Sequence, residues 1–116
     1  MQNLCIAYQD ILKKHKLYAT STTGQMIEDV ANLKIHKLLA GHFGGMQQMG
    51  SKISNNEIDL LIFLQDPANK KRTSDFYNVL NLCDQYNIPC ATNLPTAEVL
   101  ILALDRGDLD WRNMYK

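Results

Sequence analysis

The sequence lacks a net charge, because twelve Lys and Arg balance twelve Asp and Glu among its 116 residues. A neutral chain offers no basic field for releasing counterions from a nucleic acid or for attraction to anionic lipid. Its longest apolar runs, at 60–64 and 99–104, are far shorter than the ~20 residues that a membrane-spanning helix needs. We therefore expect neither a nucleic acid nor a membrane as a partner.

The sequence has three cysteines, too few and too unevenly spaced for a disulfide framework. The start of the chain has no charged segment leading into a long apolar stretch, as a secretory signal would have. Cys5, Cys83 and Cys90 cannot all pair, and no Cys-x-x-Cys spacing suggests zinc or redox chemistry. The three histidines lack metal-ligand spacing as well. We therefore predict a cytoplasmic protein with buried free thiols and no metal.

Short apolar runs alternate with stretches of helical apolar spacing along the chain. Strands are predicted at 17–19, 37–40, 59–65 and 88–91. Helices are predicted around 4–12, 26–30, 46–53, 76–83 and 97–104. This alternation predicts one domain, 1–116, with an open and mostly parallel α/β sheet. Pro95 suits the first turn of the last helix and Gly107 its end, and we expect the polar tail to pack through Trp111.

Polar loops follow the first two predicted strands. Thr20-Ser21-Thr22-Thr23-Gly24 puts hydroxyls and backbone N–H groups at a strand-to-helix junction, which either caps the helix or binds phosphate without a positive charge. Gly41-His42-Phe43-Gly44-Gly45 follows the next strand, and its glycines let the backbone approach a ligand closely. Because ligands of parallel sheets sit outside the carboxyl ends of the strands, we expect both loops at one edge.

These two loops begin an ordered set of segments that resembles the methylglyoxal synthase family. The matching segments are 17–24, 40–50, 58–63, 66–67, 87–93 and 96–98. The resemblance implies a three-layer α/β/α fold and a homo-oligomer, which is a hexamer in the family. It also implies an enzyme that removes a proton from dihydroxyacetone phosphate and then expels phosphate, leaving methylglyoxal, with no metal or cofactor.

The resemblance also implies which residues hold the phosphorylated substrate. The implied binding set is Thr20, Ser21, Thr22, Thr23, Ala40, Gly41 and Thr73. Ser21 stands where the family usually has glycine, and Ala40 replaces a phosphate-contacting serine, whereas Gly41 keeps its partner glycine. In an ungapped reading, Thr73 takes the place of a substrate-binding histidine. The site is therefore expected to be largely present but altered.

The largest departure from the family lies at the catalytic position. Family members read Gly-Gly-Asp-Gln-Gln where this chain has Met46 in place of the aspartate, and a thioether cannot accept the substrate proton. Met46 is expected to pack on a helix face. His42, an imidazole with an unperturbed pKa of ~6.5, is one candidate substitute base. Asp75 is the other. An ungapped reading places Phe76 on a second, nearby aspartate of the family, and a one-residue slip in the preceding loop would instead place Asp75 there.

Three functions remain open on these residues. The first is a degenerate module that binds phosphate or a small phosphorylated metabolite, and the second is an active methylglyoxal synthase with a substitute base. The third is an oligomeric interaction or regulatory module.

The family's first strand, which ends in His-Asp with a lysine shortly after, has no counterpart before the opening helix. We therefore expect a gap between the strands at Leu17 and Asp59.

Overall fold

The computed structural model describes residues 2–41, 44–64 and 74–115, and it divides the chain into two compact units, 1–48 and 49–116. In chain order the elements are α1 (Gln2–Ala7), α2 (Gln9–Leu12), β1 (Leu17–Thr20), α3 (Ser21–Val30), β2 (Ile35–Leu38), α4 (Gly45–Ser54), β3 (Leu61–Ile62), α5 (Ser74–Gln85), β4 (Cys90–Ala91), α6 (Leu94–Asp105) and a 3₁₀ helix (Asp110–Tyr115). Helix α4 begins in the first unit and ends in the second.

The first unit is built on a parallel pair of strands, β1 and β2, in which Leu17 pairs with Ile35 and Thr20 with Leu38. Helix α3 packs on both strands, and α1 packs against α3. Glycine at position 24 lets α3 approach β2 closely, because a Cβ there would lie 3.0 Å from the Lys37 Cγ. The buried apolar residues are Leu4, Cys5, Leu12, Ala19, Ile27, Ala31, Leu33, Ile35 and Leu38.

Two predicted elements of this unit differ from the structure. The opening helix is interrupted at Tyr8, whose backbone (φ −112, ψ 24) leaves the helical region. The second strand covers Ile35–Leu38 and not 37–40, because pairing with β1 ends at Leu38. The chain then leaves the strand pair, and Leu39 is 53% exposed.

Glu28 on α3 forms a hydrogen bond and an ion pair with β2. Its Oε2 accepts a hydrogen bond from the backbone N–H of Ile35 at 3.4 Å, and its Oε1 forms an ion pair with Lys37. The hydrogen bonds from Lys37 and from Ile35 lower the pKa of the Glu28 carboxyl below its ordinary value of 4.5. The carboxylate therefore stabilises the fold when it is ionised.

We expect Glu28→Gln to lower the urea midpoint of unfolding at pH 7, because the amide forms no ion pair with Lys37. A depressed carboxyl pKa contributes stability above the unfolded value of about 4.5 and loses it as the pH falls through the folded value. The variant and the parent chain should therefore converge in stability below pH ~4.5. Asp29→Asn, at an exposed neighbour, is the control. If Glu28→Gln is less stable than the parent chain by the same amount at every pH, the stabilising role of the Glu28 carboxylate is contradicted.

The second unit contains the parallel pair β3 and β4, in which Leu61 pairs with Cys90 and Ile62 with Ala91. Both strands are shorter than the apolar runs predict, 59–65 and 88–91, because ladder pairing joins only these residues within the described ranges. The buried apolar residues are Met49, Ile53, Ile58, Leu61, Phe76, Val79, Cys83, Ile88, Ala91, Ala97 and Ile101.

Helix α6 begins and ends as its sequence predicts. Pro95 lies in its first turn, and Asn93 caps it, accepting a hydrogen bond from the backbone N–H of Thr96 at 3.0 Å. Gly107 follows the helix with φ +84, a conformation that favours glycine. Parallel strands that alternate with helices confirm the predicted α/β class. Within the described residues, β1 and β3 belong to separate strand pairs.

The apolar ring of Trp111 predicts that this residue buries itself and holds the polar tail, but the structure buries a different residue. Trp111 is 47% exposed, and the buried residue is its neighbour Arg112, at 4%. The Arg112 guanidinium donates to Asp59 and Asn56 side chains and to backbone carbonyls of the same unit. The buried contact of the tail is therefore made by Arg112 and its hydrogen bonds, a residue that the sequence pattern did not select.

Candidate functional site

The two polar loops predicted to bind a ligand lie at one edge of the first unit. Thr20 is the last residue of β1 and pairs in parallel register with Leu38, the last residue of β2. The segments that follow them, Ser21–Thr23 and 39–41, therefore leave the strand pair from the same carboxyl edge. This is the edge at which parallel sheets bind their ligands.

The first loop passes directly into the amino end of α3. Thr20 precedes the helix with extended backbone (φ −61, ψ 156), and Ser21, Thr22 and Thr23 form its first turn. The first N–H groups of a helix have no carbonyl partner within it, and the helix dipole favours an anion there. Among the described residues, the Thr20 side chain caps none of these N–H groups. With these hydroxyls and N–H groups, the junction is suited to binding phosphate without a positively charged side chain.

The second loop is held by α4. The Gln48 side-chain Oε1 accepts a hydrogen bond from the backbone N–H of Leu39 at 2.6 Å, and the Gly45 N–H donates to the Ala40 carbonyl at 3.0 Å. Gly44 adopts φ +101, which a residue with a side chain rarely adopts. These contacts fix the position of Ala40 relative to the first turn of α4.

Met46 lies beside this loop. A Cβ built on Gly41 would stand 3.9 Å from the Met46 Cγ, an ordinary van der Waals contact. Met46 lies in the first turn of α4, and its side chain is partly exposed. The structure thus brings Met46, which the resemblance places at the family's aspartate position, next to Gly41 within the unit that carries Thr20–Thr23.

Gly45 sits where no side chain fits. A Cβ there would lie 2.1 Å from the Leu39 carbonyl oxygen and 2.9 Å from that of Ala40, both of them backbone atoms. We expect Gly45→Ala to destabilise the protein by about 1–3 kcal/mol, because the loop or the helix must shift. Gly41→Ala, where the contact is 3.9 Å, is the control. Equal urea midpoints for the two variants would contradict this account.

The other candidate residues divide into two groups. His42 and Thr73 lie outside the described residues. Asp75 is described, in the first turn of α5 and partly exposed. Phe76 is a core residue, 1% exposed, whose ring meets that of Phe63 edge-on at 5.0 Å.

The described residues also bear on metals and membranes. They contain no group of three or more His, Cys, Asp or Glu side chains that could hold a metal ion. Over the same ranges, no helix has the length and apolar character needed to span a bilayer.

Gln48 and Arg112 are residues whose roles the sequence pattern missed. Gln48 holds the strand end before Ala40 through its side chain, and Arg112 gathers acceptors in the second unit. For Gln48, the polar pair Gln47-Gln48 on an otherwise amphipathic helix was the available signal. For Arg112 the signal was weaker, a single arginine in a polar tail.

Comparison with known proteins identifies the class to which this fold and this loop pair belong. The sequence profile of the MGS-like domain matches residues 1–92. The chain belongs to the MGS-like domain family.

Its relatives make the likeness more particular. The chain is 52% identical to the methylglyoxal synthase of Caldicellulosiruptor saccharolyticus, over 98% of this chain and 82% of the relative. It is 50% identical to the methylglyoxal synthase of Clostridioides difficile, over 100% of this chain and 85% of that protein. The protein is therefore methylglyoxal-synthase-like.

A solved structure is also similar. It is the methylglyoxal synthase of Elizabethkingia anophelis, with a TM-score of 0.77 and 32% sequence identity, covering 85% of this chain and 66% of that one. This likeness, with the parallel strands and helices described above, confirms the predicted three-layer α/β/α class.

Proposed function

We propose that the protein binds inorganic phosphate or a small phosphorylated metabolite resembling dihydroxyacetone phosphate, and that its lyase activity is impaired. The supporting observation is the shared carboxyl edge of β1 and β2, where the Thr20–Thr23 turn opens α3 and the Gly41 loop meets Met46. Family membership supplies the substrate class, because the relatives are named methylglyoxal synthase.

Binding in this proposal uses hydroxyls, backbone amides and the dipole of α3. Thr22 and Thr23 offer side-chain hydroxyls in the first helical turn, where N–H groups point toward a bound anion. Such a site attracts phosphate through directed hydrogen bonds, so it suits a chain with no net charge. In this proposal the Gly41 backbone also lines the site, because glycine lets a ligand approach the main chain closely.

Impairment follows from the chemistry at Met46. Forming an enediolate requires a base that takes a proton from the carbon next to the substrate carbonyl, and elimination of phosphate follows. A positioned base contributes about 10²–10⁴ in rate. The thioether of Met46 takes up no proton at neutral pH, so the residue beside Gly41 cannot perform this step.

Thermal unfolding in the presence of ligand tests the binding. We expect both phosphate and dihydroxyacetone phosphate to raise the melting temperature, by an amount equivalent to about 2.7 kcal/mol at a hundredfold excess over Kd. Thr22→Ala and Thr23→Ala should each weaken binding by about fivefold, the loss of one neutral hydrogen bond. Ser51→Ala, which removes an exposed hydroxyl on α4, is the matched control. No stabilisation at millimolar ligand would rule the proposal out.

The names of the relatives favour a second candidate, an active methylglyoxal synthase with a substitute base. Release of methylglyoxal from dihydroxyacetone phosphate by the unmodified chain would support it. Loss of that activity in His42→Ala or in Asp75→Ala would identify the base, and unchanged activity in both variants would remove both residues as bases.

Assembly and location complete the proposal. By family resemblance we expect a homo-oligomer, a hexamer, and a monomer by light scattering would argue against an assembly role. We expect the protein in the cytoplasm, where a phosphorylated metabolite of this class is available.

A further inference from the structure

Two cysteines of the second unit stand on the two sides of one chain reversal. Cys83 is in the last turn of α5, and Cys90 opens β4. Between them the chain reverses: the Ile88 N–H donates to the Cys83 carbonyl at 2.8 Å, and Asn87 turns the backbone with φ 55. Cys90 then pairs with Leu61 in the β3–β4 ladder. The turn thus brings Cys90 back beside the end of α5, where each of the two thiols shifts the pKa of the other.

The two thiols of this pair have different surroundings. Cys83 is 1% exposed, whereas Cys90 is partly exposed. The hydrogen bond to Cys90, followed by burial, raises the pKa of Cys83, and the hydrogen bond from Cys83 lowers the pKa of Cys90. A thiolate on the more accessible partner, with a protonated thiol beside it, is the arrangement of a reactive and a resolving cysteine.

We propose that Cys83 and Cys90 are an oxidation site that closes to an intramolecular disulfide when the protein meets a peroxide. The Cys90 thiolate attacks one peroxide oxygen, the O–O bond breaks, and the other oxygen leaves as hydroxide and takes up a proton to become water. The Cys83 sulfur then attacks the sulfenic acid formed on Cys90, the S–O bond breaks, and a second water leaves with the Cys83 proton. Overall, two thiols are oxidised and one peroxide is reduced to two waters.

Cys5 provides the internal comparison. It is a free, buried thiol in the first unit, and burial raises its pKa. A buried cysteine without a thiol partner is expected to remain reduced under the same treatment. The proposal is independent of phosphate binding and of lyase activity.

The experiment treats the full chain with a modest excess of hydrogen peroxide, removes the oxidant, unfolds the protein and alkylates it with N-ethylmaleimide. We expect one alkylated cysteine in place of the three in the reduced chain, and a mass about 2 Da lower before alkylation. Chymotrypsin cuts after Tyr86, between the two cysteines, so the two fragments should stay joined until dithiothreitol separates them.

Three variants sharpen the result. Cys5→Ser should keep the cross-link, and Cys90→Ser should abolish it with little effect on folding, because that side chain is partly exposed. Cys83→Ala tests the buried partner and retains its apolar packing. Three alkylated thiols after peroxide, a bond only between separate chains, or oxidation of Cys90 without a cross-link would each overturn the proposal.

Discussion

Replacing Met46 by aspartate is expected to raise the release of methylglyoxal from dihydroxyacetone phosphate by about 10²-fold, the lower end of what a positioned general base contributes. Met46 packs beside Gly41 at the end of the second loop, so a carboxylate there would lie next to the proposed phosphate site. The lower end is expected because the resemblance implies that Ala40 and Thr73 replace other family residues, and the members of one catalytic unit do not contribute independently.

Two control variants separate the chemistry from the packing. Met46→Leu keeps an apolar side chain against Gly41 and should leave the activity at the level of the parent chain. Met46→Asn is polar and close in size to aspartate, but its amide is no base, so it should gain nothing. The activity of Met46→Asp should also fall as the pH drops through the carboxyl pKa, ~4 for an unperturbed aspartate.

The decisive comparison is between Met46→Asp and Met46→Asn at saturating dihydroxyacetone phosphate. Equal rates in the two, with phosphate stabilising both to the same extent, would show that the residue beside Gly41 does not face the reacting carbon. High activity in the parent chain, unchanged in Met46→Asp, would instead support the substitute-base alternative. In that case His42 and Asp75 become the residues to test.

The candidate site could be located from the sequence because it depends on local patterns and one general rule of topology. The hydroxyl turn at Thr20–Thr23 and the glycines at Gly41 and Gly44 are visible as short motifs. That both loops leave one edge follows from parallel pairing, which strands alternating with helices predict. The register Thr20 to Leu38 confirms it.

The exact end of β2 could not be predicted, because it is set by contacts between residues far apart in the chain. Leu38-Leu39-Ala40 reads as one apolar run. Pairing with β1 nevertheless ends at Leu38, and the Leu39 N–H turns to the side chain of Gln48. Local hydropathy carries no information about a hydrogen bond from a helix that comes later in the sequence.

Arg112 shows the same limit more strongly. An apolar ring in a polar tail is the natural choice for a buried anchor, so the pattern selected Trp111. Burial of an arginine requires several acceptors in the right geometry, and these come from the turns after α4 and α5. No local feature of the tail predicts that those turns supply them.

We expect Arg112→Met to be the most destabilising single change considered for the second unit, by about 3 kcal/mol. The guanidinium Nε donates to Asp59 Oδ1 at 3.3 Å and Nη2 donates to Asn56 Oδ1 at 3.2 Å, while Nη1 donates to the Asn87 carbonyl. Methionine matches the length of the side chain but makes none of these hydrogen bonds. The estimate lies at the low end for a broken buried pair because the Asp59 carboxylate is 36% exposed.

Urea unfolding of matched variants at pH 7 separates the hydrogen bonds from the rest of the tail. Trp111→Ala removes the ring that stacks 5.5 Å from the Arg112 guanidinium, and should cost about 1 kcal/mol or less. Arg112→Lys keeps the charge but not the planar fork, so it should fall between Arg112→Met and the parent chain. Asp59→Asn combined with Arg112→Met should cost less than the sum of the two single changes, since both remove the same ion pair. A loss below about 1 kcal/mol for Arg112→Met, or a larger loss for Trp111→Ala, would show that the tail is held through the indole after all.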